Sequence, residues 1–234
     1  MGSRGHPEFR SSTVLHYVHD PMCSWCYAFA PVWARVTDML NGAIEIRTVL
    51  GGLAPDTGLP MPTDMRRRIK GTWEQITNVV SGIEFNHDFW TVCTPIRSTY
   101  PACRAIIAAR EQGVEYESTM IVAIQNAYYQ EAKNPSLPET LISLAEDIGL
   151  DIKRFEAVLG GQECERKLQE EITRAINLGA RGFPALILLK DDVAMHLKHD
   201  YNNAHITYDR IKEGLGVLDL ESVSYTHLTL PTKA

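Results

Sequence analysis

Two thiols at close spacing, Cys23 and Cys26 in the run Cys23-Ser24-Trp25-Cys26, are the residues of this chain best suited to chemistry. A pair separated by two residues can close a small disulfide ring and open it again, which is two-electron chemistry. It follows the apolar run Val14 to Val18 and precedes a helical pattern. At the first turn of a helix, unpaired backbone N–H groups and the helix dipole favour an anion, and thiols so placed have pKa values of about 3.5–7.5. Cys23 is therefore read as the attacking sulfur, and Cys26, one turn into the helix, as the resolving thiol facing the core. Ser24 can offer a backbone N–H and its hydroxyl to the Cys23 anion, and Trp25 packs beside the site. Asp20 and His19, just ahead, are the candidates for moving a proton to or from Cys26, although an Asp before Pro commonly just turns the chain. The competing reading is a zinc pair. Zinc takes about four ligands, no second CxxC or close His pair follows, and only His16 and His19 stand near, so no metal is expected.

The elements that must position these thiols can be read from periodicity. Thr13 to Val18 is β-branched and aromatic and predicts a strand, which Asp20-Pro21 ends. From Ser24 to Leu40, apolar residues recur at helical spacing (Phe29, Val32, Trp33, Val36, Leu40), and Asn41-Gly42 stops the helix. Ala43 to Leu50 alternates as a second strand before Gly51-Gly52. Strand, helix, strand implies a parallel pair with a right-handed crossover. A Pro- and Gly-bearing loop then leads to helices predicted over 63–81, 101–112, 115–132, 138–148, 152–159 and 164–178. Strand character returns at Ala185 to Leu189. Asp191-Asp192 makes the turn to a hairpin partner, Val193 to Lys198, and a helix over 206–215 closes the order. The fold class is α/β: βαβ, a large helical block, then ββα.

A chain of 234 residues with 44% hydrophobic and 22% charged residues can bury its own core and needs no disulfide staples. Its net charge of −6, with both signs scattered, speaks against a nucleic-acid partner. No apolar stretch is long enough to span a bilayer, so no membrane association is expected. Five cysteines cannot all pair within one chain. Cys93, Cys103 and Cys164 are read as packing residues or idle thiols, with a Cys93–Cys103 disulfide left open. Residues 1–12 are polar and aperiodic and read as a disordered leader or expression scar, without the apolar core of a secretory signal; 223–234 read as translated sequencing adapter, a non-native tail. The run Arg66-Arg67-Arg68-Ile69-Lys70 is read as a solvated helix face, with docking of an acidic partner as its functional alternative. Trp73, Phe89 and Trp90 are read as core, with a groove in the helical block as the alternative.

With these anchors placed, the chain resembles the DsbA-like thioredoxin-fold family, in particular its cytoplasmic members described as protein-disulfide isomerases. The resemblance is carried by Asp20-Pro-Met-Cys-Ser-Trp-Cys26, by Gly51-Gly52-Leu53, by Thr99-Tyr-Pro-Ala-Cys-Arg-Ala105 and by Gly182-Phe183-Pro184 directly before the third strand. It implies a thioredoxin-like domain over 13–54 and 180–216, interrupted by a helical insertion over 55–179. It also implies a cis Phe183–Pro184 bond that brings this loop against the CxxC, where the backbone of Phe183 pairs with an extended substrate and Pro184 blocks metal capture. Strongly oxidising relatives carry a histidine between the cysteines; Ser24-Trp25 lacks it, so an intermediate potential is expected. Many thioredoxin-like enzymes bury an acid in the first strand beneath the thiols. Here Tyr17 takes the comparable place, which puts that proton route in doubt.

The resulting expectation is a thiol–disulfide oxidoreductase or isomerase acting on protein or small-molecule thiols and disulfides. It would work in the cytoplasm without a bound cofactor, with glutathione as the candidate redox partner. A glutathione-dependent transferase of kappa type, or a chromene-carboxylate-type isomerase, is the alternative on the same fold; those use one Ser or Cys and have no need of Cys26. A non-enzymatic binding module is the third class.

Overall fold

The computed structural model describes residues 13–226, and both terminal segments singled out above lie outside it apart from the first four residues of the second. Four strands, β1 (Val14–His19), β2 (Glu45–Leu50), β3 (Ala185–Lys190) and β4 (Val193–Leu197), form one sheet in the order β2-β1-β3-β4. β1 runs parallel to β2 and antiparallel to β3, and β3 pairs antiparallel with β4. Every residue of β1 is buried, as a central strand covered on both faces requires. Asp191 and Asp192 both take positive φ in the β3–β4 turn, the conformation a two-residue hairpin loop demands.

Helix α1 (Ser24–Leu40) starts where β1 ends and stops at Asn41, whose φ of 44° is a left-handed cap. Leu15 and Tyr17 of β1 pack with Phe29, Val32 and Val36 of α1 and with Ala204 and Ile211 of α9 (Ala204–Thr226). That last helix runs past the expected end at 215.

Between β2 and β3 come α2 (Thr63–Val79), α3 (Phe89–Val92), α4 (Tyr100–Arg110), α5 (Glu115–Tyr129), α6 (Pro138–Asp147), α7 (Ile152–Leu159) and α8 (Gln162–Asn177). Most of them share one core, with the fully buried Trp73, Phe89 and Tyr129 at its α2–α5 end. Trp73 and Phe89, with the partly buried Trp90 packed against them, thus form core rather than a groove. Helix α8 differs from the expected insertion. Its Ala175, with Leu178 at its C-cap, packs on Val18, Val49 and Ile187, covering the sheet face that α1 and α9 leave bare. Glu171 of α8 also accepts the Leu50 N–H at 2.7 Å. So the part of the chain that serves the sheet begins before residue 179.

Candidate active site

The strand-to-helix handover puts Cys23 at the N-cap of α1, with extended φ and ψ of −81° and 117°, and Cys26 at the third helical residue. Cys23 keeps 7% of its surface and Cys26 none, so only the first sulfur can meet a substrate. Both thiols are free. The Cys26 thiol donates to the Cys23 sulfur, and the backbone N–H groups of Cys26 and Trp25 point at it too. Together they hold the Cys23 thiol below its ordinary range against the opposing effect of burial. Cys26 is pushed well up by burial and by the negative charge beside it. The two sulfurs therefore differ in acidity in the sense an attacking and a resolving thiol need.

The Phe183–Pro184 bond is cis. The Cys23 thiol donates to the Phe183 carbonyl at 3.6 Å across 160 residues of sequence, so the loop before β3 lies on the Cys23 sulfur. The Phe183 ring in turn covers Gly51 at the end of β2. A Cβ on Gly51 would sit 2.1 Å from ring carbons, which is why that position has no side chain.

Ser24 departs from the role read from sequence. Its hydroxyl turns into the helical block and accepts from the buried Trp73 indole N–H at 2.9 Å. The donors on Cys23 come from the next residues instead. Trp25 stands beside the site, its ring 5.0 Å from that of Tyr201.

Asp20 is fully buried and closely held. Its carboxylate accepts from the N–H of Met22 (2.9 Å) and Leu53 (2.7 Å), from the Thr99 hydroxyl (2.6 Å) and, at 3.6 Å, from the Cys103 thiol. Burial raises its pKa and these donors oppose the rise. Its charge raises both Cys23 and Cys26 in turn. The buried acid near the thiols thus comes from the turn after β1. Tyr17 is stacked on Trp33, and burial, with Cys26 and Cys23 nearby, pushes its phenol well above its ordinary range, so it offers no acid there. His19 is buried and stacked on Tyr17, its Nε2 has no partner, and burial lowers its pKa to about 3, so it stays neutral at ordinary pH. Cys93 and Cys103 are not joined: Cys93 donates to the Ala132 carbonyl and Cys103 to Asp20. Among the described residues, no group of three or more His, Cys, Asp or Glu side chains is gathered as a metal site would need.

A sheet of this order, a largely buried CxxC at the head of α1 with only Cys23 reaching the surface, and a cis-proline loop against it agree with the family that the chain matches. Residues 14–202 fit the DSBA-like thioredoxin domain. The chain belongs to that family. A Nitrosomonas europaea structure, provisionally named a protein disulfide isomerase, superposes on this DSBA-like chain with a TM-score of 0.77 at 26% identity, covering 88% of it and 98% of the other. The cytosolic disulfide reductase DsbM of Pseudomonas aeruginosa has the same fold, with a TM-score of 0.71 at 23% identity over 87% of this chain and 99% of the other. In sequence, the ClpXP adapter protein SpxH of Halalkalibacterium halodurans is 24% identical over 178 residues, 74% of this chain. The match spans 58% of that curated relative's length.

Three residues of this DSBA-like site could not be assigned from sequence. Trp73, Thr99 and Cys103 all come from the helical insertion, 49 to 83 residues from the side chains they hold. The only signal was that Thr99 and Cys103 fall in one segment of the family resemblance, where Cys103 reads as packing. Its burial is as expected; its contact with Asp20 is new.

Proposed function

We propose that this protein is a thiol–disulfide oxidoreductase in which Cys23 is the nucleophile and Cys26 the resolving thiol. The Cys23 thiolate attacks one sulfur of a substrate disulfide; that S–S bond breaks, and the other half leaves as a thiolate. Cys26 gives up its proton, and its sulfur attacks Cys23 in the mixed disulfide. The Cys23–Cys26 disulfide forms and the substrate half is released, so the substrate gains two electrons and the protein loses two. An external thiol, with glutathione as the candidate, returns the pair to the dithiol; run backwards, the same steps oxidise a substrate. We assign the taking of the Cys26 proton to Asp20, because burial keeps its affinity for a proton above that of an ordinary carboxylate. His19, with its lowered pKa, is not suited to that role.

The observation that carries this reading is the placement of Cys23 at the N-cap of α1 against the Phe183 carbonyl with the buried Cys26 one turn behind it; contact with Cys26 lowers the first thiol and burial raises the second. A glutathione transferase or isomerase of the alternative type has no use for a second thiol there. Three further unpaired cysteines suit a reducing compartment, and we place the protein in the cytoplasm on that ground. No helix of the described residues is long and apolar enough to cross a membrane. The test is insulin reduction together with trapping. Cys23→Ser should abolish turnover, and Cys26→Ser should accumulate a covalent adduct through Cys23. Full activity in Cys23→Ser would end the assignment.

A further inference from the structure

We propose that the groove beside Cys23 selects disulfides of small, carboxylate-rich peptides of about tripeptide size, gripping their carboxylates with Arg68, Arg97 and Arg181. The proposal names the substrate class of the site just described and rests on that reading.

The groove holds 530 Å³, within the range of small-ligand sites, and its walls include Cys23, Trp25 and Phe183. Three separate parts of the chain each bring one guanidinium to it: α2, the segment before α4 and the loop before β3. No Asp or Glu lines it. None of the three arginines makes an ion pair or a side-chain hydrogen bond among the described residues. Arg47, Arg67, Arg104, Arg110 and Arg166, by contrast, all sit on carboxylates. Acidic residues outnumber Lys and Arg by 29 to 23. An uncompensated positive groove is therefore not what composition alone would give.

The basic run of α2 shows the sorting within a few residues. Arg66 donates to the Met61 carbonyl, Arg67 pairs with Asp64, and Arg68 is left facing the groove. A guanidinium fork matches a carboxylate in two parallel hydrogen bonds, and clustered charge of one sign draws an anion into a walled cleft. The donors that lower the Cys23 thiol belong to the first turn of α1, Cys26 and Trp25, and none of the arginines is among the leading causes. Their action is thus directed at the incoming substrate. The bonds exchanged are those already given; the arginines hold the carboxylates of the disulfide half that becomes linked to Cys23.

The probe is glutathione disulfide against its carboxylate esters, which keep size and sulfur chemistry and remove the negative charges. Hydroxyethyl disulfide is the neutral control. Wild-type protein should favour the acid over the ester by about tenfold in kcat/KM at low salt, from three partly exposed pairs worth about two- to threefold each, and salt should erase the preference. In the triple variant Arg68→Gln/Arg97→Gln/Arg181→Gln the acid-to-ester ratio should fall to near one. Calorimetric binding of S-methylglutathione and its ester gives a second readout that needs no turnover, and it should show the same preference and the same loss. Equal handling of acid and ester by the wild type, or a ratio unmoved in the triple variant, overturns the proposal. If hydroxyethyl disulfide is turned over without any charge preference, this inference fails and the exchange reading stands. If none of the disulfides is turned over, the exchange reading fails and this one with it.

Discussion

Gly51→Ala tests the seam between the end of β2 and the Phe183 loop that lies on Cys23. The added Cβ would stand 2.1 Å from Cε1 and Cζ of Phe183, whereas ordinary contact begins at 3.4 Å, so the ring must retreat by 1.3 Å (3.4 − 2.1). The backbone at Gly51 is not in the left-handed region, so Ala meets no conformational penalty there. Overpacking of this kind costs about 1–3 kcal/mol, while Gly→Ala at a compatible position gains about 0.4–1 kcal/mol through the unfolded chain. The steric effect should win, for a net loss of about 0.5–2 kcal/mol, read as a lower urea midpoint with unchanged m. In a Phe183→Ala background the ring is gone, and the same Gly51→Ala change should turn neutral or stabilising. That reversal of sign isolates the ring contact from every other effect of the methyl group. Because the Phe183 carbonyl sits 3.6 Å from the Cys23 sulfur, the single variant should also slow exchange with peptide disulfides. A Gly51→Ala protein as stable as wild type, or one whose penalty is the same with and without the Phe183 ring, would refute the argument.

Asp20→Asn should flatten part of the pH dependence of stability. The folded-state pKa of Asp20 is raised, so its contribution is full below the ordinary carboxylate range and is lost as pH rises through the raised value. The variant has no such loss, so its deficit in urea unfolding should be larger near pH 4 than near pH 8; a deficit that grows with pH would contradict the burial argument. Ser24→Ala leaves the indole N–H of the fully buried Trp73 without its acceptor, a cost of about 1–3 kcal/mol, and Trp73→Phe/Ser24→Ala should recover part of it. Equal stability of the single and double variants would show that the bond contributes nothing.

The thiols and the elements that carry them were legible because local signals converge there. A β-branched run, a Pro turn, a CxxC and an apolar helical stripe lie within thirty residues of one another. The family resemblance added the proline before β3, whose place on Cys23 no local pattern could give. What stayed hidden depends on tertiary contact. α3 is four residues long, too short for any period to show. α8 serves the sheet through Ala175 and Leu178, and nothing in its own amphipathic pattern says which of two cores it faces. Tyr17 occupies the strand position where an acid was sought, and the acid lies three residues later, in a turn whose Asp-Pro pair has an ordinary local explanation. Arg68 differs from Arg66 and Arg67 only in what the folded neighbours offer it.

The helical insertion contacts the residues around the two thiols and is not merely a cover over them. Trp73 from α2 holds the hydroxyl of the residue after Cys23, and Thr99 and Cys103 hold the carboxylate that raises both thiols. The sheet thus supplies the sulfurs and the proline loop, and the insertion supplies the polar backing that sets their charge balance. Any donor that lowers Cys23 favours the dithiol and makes the pair more oxidising, about 30 mV for each 1.4 kcal/mol. The Asp20 charge acts in the opposite sense, and Thr99 and Cys103 stabilise that charge. Changes in α4 that weaken their hold on Asp20 favour its neutral form, lower both thiols and raise the potential without touching the CxxC. On the proposed exchange reading, the dipeptide between the cysteines is one control of redox poise, and the buried face at the start of α4 is a second.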